Sequence, residues 1–177
     1  MEIKEYIDFK YDEIEHLYNA VGWSAYTDDM YSLEQGYKKS LKILAAYEGS
    51  KLLGIIRAVG DGFTIVFIQD ILVLPSEQGK GIGKALIKNM INLYPNVRQI
   101  ELTTDIAKET IAFYKAVGFS EFSEVGCCGF MRLFNWHLFT QIVTFFIYSQ
   151  ICQKNWHSIV FGLYSSITDW GGQLYGT

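Results

Sequence analysis

The sequence is poor in cysteine, histidine and proline, and these scarcities exclude several classes of protein. It has three cysteines among 177 residues, two of them adjacent at Cys127 and Cys128, so it has no disulfide framework of the kind that holds small secreted domains together. Three scattered histidines support neither a metal cluster nor a Cys–His nucleophile, and we expect no metal. Free thiols are typical of a reducing compartment, which predicts a cytoplasmic protein.

Charge is also scarce. Charged residues make up 19% of the chain and the net charge is −4. With no basic stripe, nucleic acid is not an expected partner. The charged opening Met1–Glu5 is followed by no apolar h-region, so we expect no signal peptide. Half of the residues are hydrophobic, and a chain of this length can form one domain with a sizeable core.

One stretch, residues 70–88 (DILVLPSEQGKGIGKALIK), joins an apolar strand to a glycine-rich turn and a helix. The apolar run ends at Pro75, and a stripe of apolar residues with helical spacing begins at Ile82. The glycines let the backbone approach a ligand, and the first N–H groups of a helix attract anions. The stretch therefore predicts a phosphate-binding site, formed by Gly79, Gly81 and Gly83, the flanking Lys80 and Lys84, and the start of the helix at Ile82.

Spacing decides between the known phosphate loops. A P-loop needs Gly-x4-Gly-Lys-Ser/Thr, but aligned on Gly83 and Lys84 its first glycine falls on Gln78 and its hydroxyl residue on Ala85. A dinucleotide fingerprint would need glycine where Leu86 stands. Gln-x-x-Gly-x-Gly over Gln78 to Gly83 fits, and it resembles the acetyl-CoA pyrophosphate loop of the GNAT superfamily of N-acetyltransferases. An ordinary glycine turn that caps a helix is the alternative.

A second motif supports the resemblance. Residues 113–119 read FYKAVGF, and a Phe-Tyr-x-x-x-Gly-Phe segment after the fifth strand is characteristic of the family. The resemblance implies that the Tyr114 hydroxyl lies beside the sulfur of the coenzyme and protonates the departing thiolate. A tyrosine that only packs in the core is the alternative. Many members carry asparagine where Ala107 stands, so that contact with the coenzyme is expected to be absent or replaced by Thr104 or Asp105.

The resemblance also implies how the rest of acetyl-CoA is held. The end of the fourth strand binds the pantetheine arm through backbone hydrogen bonds in this family, which implicates Leu72 and Val73. A strand N–H would then serve as an oxyanion-hole donor.

The base that deprotonates the acceptor amine is harder to assign. Asp70, on the strand that leads to the loop, is our candidate general base, and Glu101 on the neighbouring strand is the other carboxylate within reach. A carboxylate on a strand is more often a solvated or paired residue. The loop Trp23 to Tyr31 stands where the family covers the acceptor site, and its aromatic and acidic residues suit a cationic amine.

The order of elements predicted along the chain is β-α-α-β-β-β-α-β-α-β-β. This order is α+β, and it resembles the GNAT fold across residues 1–134: three layers, α/β/α, around a mixed, mostly antiparallel sheet splayed at the cofactor site. Among the local predictions are two capping boxes, Asp12 with Glu15 and Ser32 with Gln35. The last two elements of the predicted order are strands at residues 119–122 and 129–133.

Residues 135–177 have a different composition. Lys154 and Asp169 are their only charged side chains, yet they contain three of the four tryptophans. The apolar stretch 138–151 is about 14 residues long, short of the roughly 20 that span a bilayer, so no membrane span is expected. This atypical aromatic-rich tail is consistent with a buried extension, an element that forms a homodimer, or translated sequence beyond a natural end.

The functional hypothesis is transfer of acetyl from acetyl-CoA, as cosubstrate, to a primary amine by direct attack in a ternary complex. A small-molecule amine is favoured as the acceptor. Two alternatives remain open: a non-catalytic CoA-binding or interaction module, and a peptide- or protein-lysine acetyltransferase. No cysteine is placed to carry an acyl intermediate, because Cys127 and Cys128 lie beyond both motifs.

Overall fold

The computed structural model describes residues 1–132 of the chain, in which five strands form one mixed sheet. Neighbours in the chain are neighbours in the sheet, and the first three pairings are antiparallel while the last is parallel. The parallel pairing requires a crossover helix between its two strands. The strands are β1 (Glu2–Glu5), β2 (Lys42–Glu48), β3 (Lys51–Gly60), β4 (Ile65–Val73) and β5 (Gln99–Leu102).

Five α-helices accompany the strands in this part of the chain. Three of them lie between β1 and β2, one forms the crossover from β4 to β5, and one follows β5. They are α1 (Tyr11–Ala20), α2 (Ser24–Thr27), α3 (Met30–Lys38), α4 (Ile82–Leu93) and α5 (Lys108–Ala116).

The sheet is covered by helices on both faces, which gives the predicted three-layer α+β fold. On one face, α1 and α3 pack against the sheet through Ile14, Leu17, Tyr18, Leu33 and Tyr37. On the other face, α4 packs through Ile82, Leu86, Ile87 and Met90, with partly buried residues of α5 against the same cluster. We call these the α1 face and the α4 face. Burial of this apolar surface on two sides stabilises the sheet.

A β-bulge in β4 determines which of its residues lie on each face. Arg57 pairs with Asp70 but the next residue, Ala58, pairs with Ile68, so Gln69 is the extra residue. A bulge shifts the alternation of side chains by one residue. Ile68 therefore lies on the α4 face, whereas Asp70 lies on the α1 face with its partner Arg57.

Strands β4 and β5 pair along only part of their length. Ile65 to Ile68 pair with Gln99 to Leu102, but β4 continues to Val73. Residues 69–73 thus have a neighbouring strand on the β3 side and none on the β5 side within the described residues. This opening is the splay predicted for the sheet.

Three local predictions near the first helices are corrected. The helix α1 begins after Lys10 with no side-chain cap, so Asp12 and Glu15 do not form a capping box. The cap of α3 is Asp29, whose carboxylate accepts a hydrogen bond from the Ser32 backbone N–H at 2.9 Å; Ser32 is a residue of that helix and not its cap. The segment predicted as a loop from Trp23 to Tyr31 contains the short helix α2.

The two closing strands are also wrong for the residues described. Residues 119–132 contain a 3₁₀ turn, Phe122–Val125, and no strand. Glu121 and Glu124 close a capping box around this turn, and Gly126 with φ 77° ends it. These local hydrogen bonds hold Phe122, the last residue of the first predicted strand, and the three residues after it in a turn. The boundary near residue 134 and the tail at 135–177 lie outside the described residues and remain predictions.

One carboxylate, that of Asp61, holds the turn between β3 and β4. The Asp61 carboxylate accepts hydrogen bonds from the N–H groups of Phe63, Thr64 and Ile65 at 2.8, 2.7 and 3.1 Å. A further bond from the Thr64 hydroxyl, together with these, lowers the pKa of Asp61. A lowered folded-state pKa contributes stability above the unfolded-state pKa, and this contribution is lost as the pH falls.

We therefore expect Asp61→Asn to lower the melting temperature at pH 7. The difference from the wild type should shrink as the pH falls below about 4, the usual pKa of aspartate. Thermal unfolding followed by circular dichroism at several pH values measures it, with Asp28→Asn as the control. A difference that stays constant with pH would contradict the role of the charge.

Candidate functional site

The predicted phosphate loop joins the end of β4 to the beginning of α4. Gly79 and Gly81 adopt φ values of 76° and 84°, and Gly81 is the N-cap of α4 without a side-chain cap. The first helical bond is from the Ala85 N–H to the Gly81 carbonyl, at 3.0 Å. The N–H groups of residues 82–84 therefore have no acceptor among the described residues, which is the arrangement that binds anions at helix N-termini.

The glycines of the loop serve two purposes. A Cβ added at Gly79 or Gly81 would meet nothing within 4 Å, so these positions need glycine for their positive φ. A Cβ at Gly83 would lie 3.3 Å from the Cζ atom of Phe113. Gly83 therefore lets α4 pack closely against α5, which carries Tyr114.

The two lysines of the loop differ in their partners. Lys80 forms an ion pair with Glu77 at 2.8 Å, and Glu77 also pairs with Lys51 at 3.2 Å. Hydrogen bonding with Lys80 and then Lys51 lowers the pKa of Glu77. Lys84 is exposed and has no ion pair in the part of the chain that the structure describes. Lys84 is therefore the lysine with its charge available for an anionic ligand.

The loop allows a direct test of anion binding. Gly81→Ala forces a residue with a Cβ into positive φ, which costs roughly 1 to 2 kcal/mol. We expect the variant to weaken acetyl-CoA binding about 10-fold or more, because the helix N–H groups move out of position. Isothermal titration calorimetry measures the change.

The matched control is Gly49→Ala in the β2–β3 turn. Gly49 also has positive φ, 60°, and its added Cβ would likewise meet nothing within 4 Å. We expect a similar loss of stability with unchanged affinity for acetyl-CoA. Equal losses of affinity in the two variants would show that the loop has no special role.

The backbone of Leu72 and Val73 lies along the unpaired side of β4. The Leu72 side chain is 3% exposed on the α1 face, and Ile82 in the loop is also buried, so only their backbones can reach a ligand. The Val73 carbonyl accepts a hydrogen bond from Gln78 Nε2 at 3.1 Å. Gln78, predicted to bind the cofactor, thus connects the loop to the strand.

Tyr114 lies on α5 against the α4 face. Its ring contacts Phe113 and Phe119 edge-on, with centroids 5.1 and 6.0 Å away. Burial raises the pKa of Tyr114 to about 12, opposed by hydrogen bonding with the Thr104 side chain. The structure therefore brings together Tyr114 and Thr104, two of the residues predicted for the site. A phenol with this pKa remains a proton donor at neutral pH.

Asp70 lies on the α1 face and is 1% exposed. Its Oδ2 atom accepts a hydrogen bond from Arg57 Nε in a buried ion pair, and a second from the Tyr18 hydroxyl at 2.9 Å. Protonation of this carboxylate would leave the Arg57 cation buried without its counter-charge. The general-base role of Asp70 stays a prediction, and this ion pair counts against it. The alternative carboxylate, Glu101, accepts a hydrogen bond from Gln99 at 2.7 Å.

The segment predicted to cover the acceptor site places aromatic rings near Asp70. Trp23 and Tyr26 stack with centroids 5.5 Å apart, and Tyr26 lies 5.7 Å from the ring of Tyr18. Burial and the charge of Asp70 raise the pKa of Tyr26, while hydrogen bonding with Gln69 lowers it. The helix α2 thus lies beside the bulge of β4.

The partners of Asp70 were not predicted from the sequence. Arg57 also reaches the Ser40 hydroxyl at 3.3 Å and lies over the Tyr37 ring, 5.2 Å from its centroid. The signal was present: Arg57 is the single charge inside an apolar strand, and buried charges are paired. Its partner could have been sought on the strand that follows.

The fold and site define a three-layer α/β/α protein in which a glycine-rich loop with unpaired helix N–H groups lies beside an opened strand. Comparison with known proteins agrees with this class. Residues 9–119 match the Acetyltransferase (GNAT) family, and the chain belongs to that family.

Individual relatives span different parts of the chain. A solved GNAT-family acetyltransferase of Streptococcus pneumoniae TIGR4 is 39% identical, with a TM-score of 0.68, and the match covers 75% of this chain and 96% of that one. An uncharacterized N-acetyltransferase, ycf52, of Pyropia yezoensis is 31% identical over 60% of this chain and 63% of its own length. The histone acetyltransferase TAP1 of Glycine max is 38% identical over 41% of this chain and 31% of its own. The chain thus matches less than two thirds of the length of these two curated relatives.

The described residues offer neither a metal site nor a membrane span. Among residues 1–132, no group of three or more His, Cys, Asp or Glu side chains is placed to hold a metal ion. No helix in that part of the chain has the length and apolar character needed to cross a membrane.

Proposed function

We propose that the chain transfers acetyl from acetyl-CoA to a primary amine by direct attack in a ternary complex. The observation that carries the proposal is the loop at the start of α4, whose free N–H groups adjoin the unpaired side of β4. The loop suits the pyrophosphate of the coenzyme, through residues 78–84. The open backbone at Leu72 and Val73 suits its pantetheine arm.

The proposed chemistry needs one proton donor at the leaving group. The amine nitrogen attacks the thioester carbonyl, the C–N bond forms, and the C–S bond breaks as the tetrahedral intermediate collapses. Tyr114 donates its phenolic proton to the departing thiolate and regains one from solvent, with Thr104 as its hydrogen-bonding neighbour. A strand N–H near Val73 supplies an oxyanion donor.

A small-molecule acceptor is favoured over a peptide. The support is α2, which lies in the segment that the family resemblance places over the acceptor site and stacks Trp23 on Tyr26 beside the bulge of β4. The soybean relative named a histone acetyltransferase keeps a protein-lysine acceptor as the second candidate.

Exposed Cys127 and Cys128 are both free thiols, which accords with the proposed cytoplasmic location.

The acceptor class is tested by competition. The purified chain is incubated with acetyl-CoA and an equimolar mixture of small amines and lysine peptides, and mass spectrometry counts acetylated products. We expect small amines to carry most of the acetyl. Peptides as the main products would transfer the assignment to the second candidate.

A further inference from the structure

The carboxylate of Asp70 has one satisfied oxygen and one that is not. Its Oδ2 atom accepts from Arg57 and Tyr18, while Oδ1 is buried and has no hydrogen-bond partner among the described residues. Buried carboxylate oxygens almost always have a donor, because leaving one unpaired costs about 1 to 3 kcal/mol or more. Oδ1 is therefore a position that a ligand's N–H group would satisfy.

The groups around Asp70 show which kind of donor fits. Arg57 faces it from β3, Tyr18 from α1, Tyr37 from α3 and Tyr26 from α2. Burial and the charge of Asp70 raise the pKa of Tyr18, so its hydroxyl stays a neutral donor. Burial opposes the charge of Arg57, but Asp70 outweighs this effect and the pKa of Arg57 is raised.

The ion pair is already neutral as a whole. Adding an ammonium ion at Oδ1 would leave a buried site with one uncompensated positive charge, and a buried charge is costly unless it is paired. A neutral amine offers the same N–H donors without that charge. The position of Asp70 also suits the reaction, since it is two residues before Leu72 on the strand that leads to the loop.

We propose that Asp70 Oδ1 binds the nitrogen of the acceptor as a small neutral primary amine, with Arg57 and Tyr18 as positioning residues that hold the carboxylate through Oδ2. The inference rests on the proposed acetyl transfer and deepens it. The amine arrives with its lone pair free, so the enzyme takes no proton from it before attack. After attack the nitrogen loses its proton to solvent, while Tyr114 protonates the thiolate.

The test uses the wild-type chain and matched pairs of probe amines that differ in basicity. The pairs are 2-phenylethylamine with its β,β-difluoro analogue, and propylamine with 3,3,3-trifluoropropylamine; fluorine lowers the pKa of the ammonium group. Thiol release is measured from about pH 6 to about 10, a range that ends near the usual pKa of an alkylammonium group such as that of lysine, about 10.4. Because an unfluorinated alkylammonium group has a pKa near or above the end of this range, we expect kcat/KM, calculated on total amine, to rise throughout with propylamine and 2-phenylethylamine. With each fluorinated analogue it should level off within the range, at the pKa of that amine, and kcat should stay flat with all four.

Two results of this experiment would overturn the inference, and a third would overturn the proposed function. One is an acid limb in kcat at the same pH for both members of a pair, which a general base on the enzyme would produce. Another is that none of the four probe amines is acetylated while lysine peptides are acetylated. If calorimetry shows acetyl-CoA binding but no amine or peptide gives product, the proposed function itself fails, which separates the two failures.

A variant gives a second readout. We expect Asp70→Asn to raise KM for the amine about 10- to 100-fold, the effect of a hydrogen bond to a charged group, and to change kcat less. Glu5→Gln, which breaks the exposed Lys42–Glu5 pair at 2.8 Å, is the control and should leave both constants unchanged. An unchanged KM in folded Asp70→Asn would also overturn the inference.

Discussion

Replacing Tyr114 by phenylalanine should lower kcat about 100- to 10,000-fold, the usual contribution of general acid catalysis. The loop at residues 78–84 is untouched, so the affinity for acetyl-CoA should remain close to that of the wild type. Tyr47→Phe is the matched control, because it removes a phenol bonded to Glu13 at 3.0 Å on the α1 face. Steady-state thiol release and calorimetry measure the two quantities.

The pKa of Tyr114 predicts a pH dependence as well. A phenol donates its proton below its pKa, and burial raises that pKa to about 12. A rise above the usual value of about 10 extends the range of the donor form upward. We therefore expect kcat of the wild type not to decline between pH 8 and about 10. Full turnover in Tyr114→Phe would show that this residue only packs against α4.

Replacing Arg57 by methionine should lower the free energy of unfolding by about 3 to 5 kcal/mol, the typical cost of breaking a buried ion pair from one side. Arg57 and Asp70 are 7% and 1% exposed, so water cannot compensate the carboxylate that remains. Urea unfolding followed by circular dichroism measures the loss.

The double variant Arg57→Met with Asp70→Leu is the control for that prediction. Removing both charges replaces the pair by apolar side chains, which is often close to neutral, so most of the lost stability should return. A double variant as unstable as Arg57→Met alone would mean that packing, not the unpaired charge, causes the loss.

Much of the fold was predictable because its signals are local. The glycines at 79, 81 and 83 and the apolar stripe from Ile82 predicted the loop and α4, and the structure confirms both elements. The helix carrying Tyr114 was likewise predicted from its spacing. The three-layer arrangement followed from the order of elements together with the family resemblance.

The parts that were not predicted depend on pairing between distant residues. Alternating burial from Val66 to Leu72 is indistinguishable in sequence from a regular strand, because the extra residue Gln69 is defined only by the register with β3. The same bulge puts Asp70 beside Arg57, a residue 13 positions earlier. The candidate base was therefore recognised as a carboxylate near the loop, but its ion pair was not foreseen.

The two strands predicted after Gly118 are not formed in the described residues. The apolar residues around Phe119 and Phe130 suggested two strands, but the Glu121–Glu124 capping box holds the segment between them in a 3₁₀ turn that begins at Phe122. Lys115 binds both glutamates at 2.7 Å and connects this turn to α5. Hydrogen bonds between a side chain and its neighbouring backbone decided the conformation there.

Acetyl transfer itself is tested most directly by counting both products of one reaction. The purified chain is mixed with acetyl-CoA and each amine or peptide in turn, and free thiol and N-acetylated product are measured together. We expect one thiol released per acetylated amine, with almost none from Tyr114→Phe. Acetyl-CoA that binds in calorimetry but yields neither thiol nor acetylated product with any acceptor would contradict this expectation and indicate a non-catalytic CoA-binding module.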